Sequence, residues 1–362
     1  MTSVPCRGWR EARAPGASGT LGAMSSAQRV VVTGAAGFIG QALWHALRDA
    51  WAAHGVTRIE CVATDCARVA GVALPADATP ASAPSGADAA EHASWRWGDI
   101  ADPALIDSLF ERPVHRAFHL AGIVSGRAEA DFSLGKRVNL DATIALLERC
   151  RMQAESGGPV VRFVYASSIA VFGTPLPDRI DDSTQPLPTL SYGTHKRAIE
   201  LLIDDYSRRG FIDGRALRLS GVLLRPPLAN GALSAFNSDV IREPLAGRSY
   251  VCPVGPDATI WLTTLHSTVR NVMRLADINA SELGAQRCLT APALAVRIGD
   301  IVNALGRIDA AAPARVTYQS QPPLEAQFGR WPLDCSFERA TALGLHVAAS
   351  LDALLHTIRE PE

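Results

Sequence analysis

No apolar run in this 362-residue chain reaches the roughly 18 residues that a membrane-spanning helix needs, so no segment is expected to cross a bilayer. Neither sign of charge is in surplus: 35 lysines and arginines stand against 36 aspartates and glutamates. That balance leaves no basic face for nucleic acid and no acidic tail. Paired cysteines are missing too. The seven cysteines, at 6, 61, 66, 150, 252, 288 and 335, are odd in number and scattered, with no CxxC spacing. Such a set reads as reduced thiols of a cytoplasmic protein rather than a disulfide framework. Cys61 and Cys66 are followed by no His or Cys pair at finger-like spacing, so no metal site is expected. Residues 1–27 lack both an apolar period and the hydrophobic stretch of a secretory signal. Rich in Gly, Ala, Ser and Arg, they are expected to be a disordered extension, with Met24 as the working initiator. Their scarcity of acids leaves a transit peptide as the alternative.

Apolar residues, at 48%, suffice for a sizeable core. Strand and helix signals alternate, the pattern of a parallel sheet with helices on both faces. The expected strands are Arg29–Thr33, Thr57–Thr64, Trp95–Gly98, Arg116–Leu120, Val160–Ala166 and Arg215–Ser220. Between them fall helices at Ile39–Ala50, Asp131–Arg151 and Ser191–Arg209, and one opened by Asp102 as cap with Pro103 in its first turn. Residues 70–92, rich in Pro, Ala, Ser and Gly, read as a flexible insertion. The expected fold is therefore α/β, a Rossmann doubly wound parallel sheet over 28–220. Beyond Gly221 the alternation weakens and prolines cluster, which suits a smaller substrate-binding lobe over 221–362. No internal repeat is present.

The stretch Thr33-Gly34-Ala35-Ala36-Gly37-Phe38-Ile39-Gly40 joins the first strand to the first helix. Glycines at this spacing serve a sharp turn, a close approach of backbone to a pyrophosphate, and tight packing of helix on strand. The helix start then offers free N–H groups and a positive dipole end to phosphates. Asp65 closes the second strand, where a carboxylate bonds the adenosine ribose hydroxyls and repels a 2′-phosphate. Its neighbour Cys66 is not basic, and Arg68 is three residues on, so NAD is the expected cofactor in preference to NADP. Asp99-Ile100 and Leu120-Ala121-Gly122 follow the third and fourth strands, and Leu219 ends the sixth. These carboxyl ends are where open α/β sheets bind ligands.

Tyr192 and Lys196 are four apart at the start of a helix and share one face. A free phenol titrates at about 10. A nearby ammonium favours the phenolate. Reaching neutrality asks for about 4 kcal/mol of differential stabilisation. A close cation in a partly desolvated site can supply that. Tyr192 would then accept the hydroxyl proton as hydride leaves carbon for NAD. Lys196 would also hold the nicotinamide ribose, and Ser168 would orient the substrate oxygen. Ser167 is the rival of Ser168. His195 is expected beside the site or at the surface.

Together TGAAGFIG, Asp65, GDI, HLAG, YASSIAVFG and YGTHK resemble the extended short-chain dehydrogenase/reductases, the NAD-dependent epimerase/dehydratase family, over roughly residues 29–360. The resemblance implies the doubly wound fold, NAD and the roles just described. A closer likeness, carried by HLAGIVSGRAEADFSLGKRVNLDAT, SSIAVFGTPLPD, DYSRRGFIDG and REPLAG, is to a branch that oxidises a hydroxyl of a four-carbon sugar acid. It implies Ser125 near the substrate and a substrate loop over 221–242, with Ile169 and Arg225 in contact alongside Ser168 and Tyr192. The chain departs from that branch at RLSGVLLRPP and ATIWLTTLHS, where polar and cationic groups are lost. A carboxylate needs charged or well-placed donors. Arg225 and Arg242 remain as candidates, and a less polar alcohol or ketone stands as the alternative substrate. Two other readings are a nucleotide-sugar epimerase or dehydratase that retains NAD, and an NAD-binding redox sensor. Ile169-Ala170 after Ser168, in place of an acid pair, disfavours dehydration, and the intact Ser–Tyr–Lys trio disfavours the sensor. The helices over 131–151 and 191–209 commonly pair across a two-fold axis in this family, which implies a homodimer.

Overall fold

The computed structural model describes residues 28–53, 59–65, 92–223, 234–348 and 350–359. The extension 1–27, most of the insertion 70–92, Cys66, Arg68 and Arg225 lie outside them, as does the side chain of Asp65. Fourteen strands fall within the described residues. They are β1 (Gln28–Thr33), β2 (Ile59–Asp65), β3 (His92–Trp97), β4 (Arg116–His119), β5 (Val161–Ser168), β6 (Arg179–Ile180), β7 (Ile212–Leu219) and β8 (Gly221–Val222), followed by β9 (Tyr250–Cys252), β10 (Thr259–Thr263), β11 (Cys288–Thr290), β12 (Leu294–Arg297), β13 (Val316–Tyr318) and β14 (Asp334–Cys335).

Val30, Val31 and Val32 of β1 are all buried. Such a run belongs in a parallel sheet covered on both faces, where alternation with polar residues is not required. The main sheet has the order β11-β7-β5-β4-β1-β2-β3, and every pair in it is parallel. On one face Val32, Val164 and Leu217 pack with Leu43 and Trp44 of the helix Phe38–Ala53 and with Val269 and Val272 of the helix Leu265–Asp277. On the other, Phe163 and Tyr165 meet Leu146 and Leu147 of the helix Ala142–Glu155 and Ile199 and Ile203 of the helix Ser191–Arg208. The strand order reverses between β1 and β4, which opens a crevice at their carboxyl ends.

The segment expected as one helix over Asp131–Arg151 is divided. Asp131 is the cap, its carboxylate accepting from the Leu134 N–H at 2.9 Å. A short helix Phe132–Lys136 then passes through a π-helical turn, Arg137–Asp141, before the helix Ala142–Glu155. A π turn inside a helix commonly marks a functional position. Here it carries Asn139, whose amide accepts from Ile123 N at 2.7 Å and donates to Ile123 O at 2.9 Å, pinning the loop after β4. Asp102 caps the helix Pro103–Leu109 as its sequence suggests. β3 begins at His92, inside the stretch read as insertion.

The C-terminal region builds its own core of Val240, Ile260, Leu262, Ile298 and Ile301 around the three-stranded sheet β12-β10-β8. It is not wholly separate. The helix Leu265–Asp277 and β11 return to the main sheet, and buried Arg215 of β7 donates to the carbonyls of Leu275 (2.9 Å) and Ile278 (2.6 Å) at that helix's end. A cation there meets the negative end of the helix dipole.

Candidate active site

A cavity of about 390 Å³ opens where the crevice meets the second lobe. One wall is the turn after β1. Gly34 has φ +71°, and a Cβ there would lie 2.6 Å from Ala121 N. A Cβ on Gly40 would lie 2.0 Å from Gly34 O. Both positions accept only hydrogen, because the turn is pressed against the chain after β4 and against its own helix. Phe38, Ile39 and Gly40 start the helix on this wall, and no acidic side chain sits in its first turn. The positive dipole end of the helix therefore meets no carboxylate from its own first turn, the arrangement that receives a phosphate.

The opposite wall is made where β5 meets the helix Ser191–Arg208. Side chains two apart on a strand and four apart on a helix advance by similar distances along one face. Here the two repeats are matched. Tyr165 faces Lys196, and Ser167 faces Glu200. Lys196 is 4% exposed and donates to Ala166 O at 2.7 Å. Its Nζ lies 4.5 Å from the ring centre of Tyr165 and 5.6 Å from that of Tyr192. Burial pulls its pKa down to about 7, against an upward push from Glu200. Glu200, fully buried, accepts from Ser167 Oγ at 2.6 Å, from Arg218 at 2.9 Å through each oxygen, and from Arg197 at 3.0 Å. Ser167 is thus occupied by Glu200. Ser168 caps a short 3₁₀ turn through Ala170 N (3.2 Å) and lines the cavity with Tyr192 and Lys196.

Behind this wall His119 spans Thr33 Oγ1 (2.6 Å) and Thr143 Oγ1 (2.9 Å) and stacks on Tyr165. Burial first, and the Lys196 charge second, lower its pKa to about 3, so it stays neutral.

Of the residues expected at the site, Gly34, Gly37, Phe38, Ile39, Gly40, Leu120, Gly122, Ser125, Ser168, Ile169, Tyr192, Lys196 and Leu219 all line the cavity. Ala121 lies behind the lining and backs Gly34. Asp99 and Ile100 are not on it. The Asp99 carboxylate accepts from Arg137 at 2.5 Å and Ala101 N at 2.9 Å, and Ile100 is buried in the core. Arg242 is no part of the lining either, being ion-paired with Asp239 and Glu243. His195 packs on Phe132, outside the lining. From the second lobe, Asn237 and Ser238 of the helix Phe236–Leu245 reach the lining from within the expected substrate loop 221–242, whereas Trp261 of β10 and Trp331 were not singled out as lining residues from the sequence. Trp261 is fixed by Nε1 donating to Pro332 O at 2.8 Å and by Trp331 at 5.1 Å between ring centres. Only the bare Trp in ATIWLTTLHS signalled that wall.

The sequence profile of the NAD-dependent epimerase/dehydratase family matches residues 30–256. D-erythronate dehydrogenase from Cupriavidus necator is 42% identical over 264 residues, spanning 73% of this chain and 80% of that protein. D-erythronate dehydrogenase from Haemophilus influenzae is 34% identical over 259 residues, spanning 71% and 81%. Among solved structures, a nucleoside-diphosphate-sugar epimerase from Agrobacterium tumefaciens superposes with a TM-score of 0.78 at 32% identity, over 92% of this chain and 94% of that one.

Proposed function

The chain belongs to the NAD-dependent epimerase/dehydratase family, and from that premise we propose that its cavity oxidises a secondary hydroxyl of a small sugar acid, D-erythronate or a less polar analogue, with Tyr192 as base. It is an NAD-dependent oxidoreductase acting on CH–OH groups. The observation that carries the finer reading is the convergence of Tyr192, Lys196 and Ser168 on the one cavity that the glycine turn also lines.

The residues fit the cofactor. Gly34, Gly37, Phe38, Ile39 and Gly40 would receive the pyrophosphate, in a turn where even a methyl group would collide with backbone. Asp65 would take the adenosine ribose; Asp99, held by Arg137 and Ala101 N, and Ile100, buried in the core, lie off the cavity and are assigned no contact with the cofactor. Leu120, Ala121, Gly122 and Leu219 would flank the remainder, with Lys196 on the nicotinamide ribose. When bound, the nicotinamide supplies the hydride acceptor. Ser168 Oγ donates to the substrate oxygen and orients it. Tyr192 Oη takes the hydroxyl proton. The Lys196 ammonium, held beside that phenol, favours its deprotonated form. Trp261 and Trp331 exclude water from one side of the cavity.

The substrate is proposed from the two relatives named D-erythronate dehydrogenase. Ser125, Asn237 and Ser238 offer donors and acceptors for hydroxyls. Lys196 is the only cation on the lining among the described residues, so Arg225 is the proposed partner for a carboxylate. A second reading, an epimerase that retains NAD, draws on the similarity to the Agrobacterium tumefaciens structure. Pairing of two copies through the helices over 132–155 and 191–208, where Phe132, Met152 and Leu201 are exposed, is proposed for the assembly. Among the described residues no helix is long and apolar enough to cross a membrane.

The test is incubation with NAD and a panel of C3 to C6 hydroxy acids and simple secondary alcohols, following absorbance of reduced nicotinamide. Stoichiometric NADH with D-erythronate or a near analogue is expected. Turnover of a nucleotide sugar without net NADH would replace the dehydrogenase reading with the epimerase.

A further inference from the structure

Lys196 is buried without a carboxylate in contact among the described residues. Around its Nζ lie one carbonyl, Ala166 O at 2.7 Å, and two aromatic rings, with Tyr165 the nearer at 4.5 Å. The carboxylate one turn along its own helix, Glu200, is already bonded to Ser167, Arg218 and Arg197. An ammonium removed from water needs some other source of negative potential, and a ring face provides one through its quadrupole. The Tyr165 hydroxyl has a different status. It is buried, no partner among the described residues reaches it, and burial pushes its pKa well above the usual range. The ring of Tyr165 is therefore in use while its oxygen is not.

We propose that Tyr165 is a positioning residue, whose ring face holds the Lys196 ammonium charged and in place beneath Tyr192. The proposal deepens the reading of Lys196 given above and rests on it for its catalytic meaning. The register of β5 on the helix Ser191–Arg208 makes the contact, since it is the same match that seats Ser167 on Glu200. His119, on β4, stacks on Tyr165 at 5.8 Å between ring centres. The other titratable groups facing Lys196 are Tyr192, His195 and Glu200 on its own helix, with Arg218 of β7 and Cys288 of β11 behind Glu200. Neutral His119 adds no competing charge beneath the ring, whereas a protonated imidazole would repel the ammonium. The ring face acts in the same direction as Glu200, opposing the fall that burial imposes on the amine.

The chain has only two lysines, Lys136 and Lys196, so protein labelled with ¹³C at lysine Cε gives two signals to assign. Lys136, exposed and paired with Asp141, is the internal reference. We would titrate Lys196 directly in wild type, Tyr165→Phe, Tyr165→Leu and Tyr165→Met, with no substrate present. Tyr165→Phe keeps the ring and removes an unpartnered oxygen, so Lys196 should titrate as in wild type, with unchanged thermal stability. The Leu and Met variants should lower its midpoint by about one pH unit while Lys136 stays fixed. The base limb of kcat/KM against pH should move up correspondingly, and Tyr165→Phe should restore it. Met, unbranched and adaptable, keeps the test alive if Leu does not fold. A folded Leu or Met variant with an unshifted Lys196, or a Phe variant shifted as much as either, would overturn the proposal. A shifted Lys196 with an unmoved pH–rate profile would leave the ring's hold on Lys196 standing and sink the catalytic role given to that lysine.

Discussion

Removal of the Glu200 carboxylate should be among the most destabilising single changes in the protein. Glu200 is fully buried and the Arg218 side chain is only 12% exposed. The carboxylate accepts four hydrogen bonds, one from Ser167, two from Arg218 and one from Arg197. Glu200→Ala would leave the Arg218 guanidinium enclosed without its hydrogen-bonded carboxylate, with the Phe172 ring at 5.3 Å and Asp204 acting on it from farther off. Breaking a buried pair from one side costs about 3–5 kcal/mol, because the abandoned charge keeps its desolvation penalty. Against a typical total of about 5–15 kcal/mol, that is a large fraction. Urea unfolding followed by tryptophan fluorescence would read it, with m-values checked for constancy. The physical reasoning makes a sharper demand through a double-mutant cycle. Arg218→Met alone should also be costly, whereas Glu200→Leu with Arg218→Met should recover much of the loss. Arg197, at 26% side-chain exposure, can hydrate in that double variant. A Glu200→Ala cost below about 1 kcal/mol, or fully additive single variants, would refute the account of this network.

Two further consequences concern the turn and the buried imidazole. Gly40→Ala places a methyl group 2.0 Å from Gly34 O, so the turn must open; NAD affinity should fall by at least about tenfold and stability by about 1–3 kcal/mol, read by calorimetry and by unfolding. His119, with a pKa of about 3 when folded against about 6.5 when unfolded, leaves the unfolded chain binding one more proton between those values. Stability should therefore decline as pH drops below about 6.5, and His119→Gln, though less stable at neutral pH, should show a shallower acid decline. Parallel wild-type and variant curves across that window would contradict it.

How much of this could be read in the sequence follows from whether each feature is local. The glycine turn, the Tyr192–Lys196 spacing and the Asp102 cap are set by residues within one helical turn of each other, and their sequence pattern carries them. The alternation of strand and helix likewise announces the doubly wound sheet, with boundaries displaced by three residues at the starts of β3 and β7 and by four at the end of the helix Ala142–Glu155. The π turn over Arg137–Asp141 was not legible, since an apolar stripe looks alike on either side of one extra residue. Asn139 shows its purpose only when Ile123 is beside it. The sequence offers Ser167 and Ser168 side by side, and the hydrogen bond from Ser167 to Glu200, 33 residues on, is not visible in it. Nor does the sequence show that Trp261 and Trp331, 70 residues apart, become one wall, which they do through the cluster they share with Ile169, Val171 and Phe172. Arg242 looked available in the sequence because its partners Asp239 and Glu243 signal equally well a solvated helix face.

The most direct measurement is made on Tyr192→Phe, which deletes a single oxygen from the cavity wall. NAD affinity, measured by calorimetry, should stay within about threefold of wild type, while kcat for NAD reduction by the best hydroxy acid falls by about 10²–10⁴, the contribution expected of a positioned proton acceptor. Retention of turnover near the wild-type rate would contradict the claim that this phenol, set beside Lys196, takes the substrate's proton.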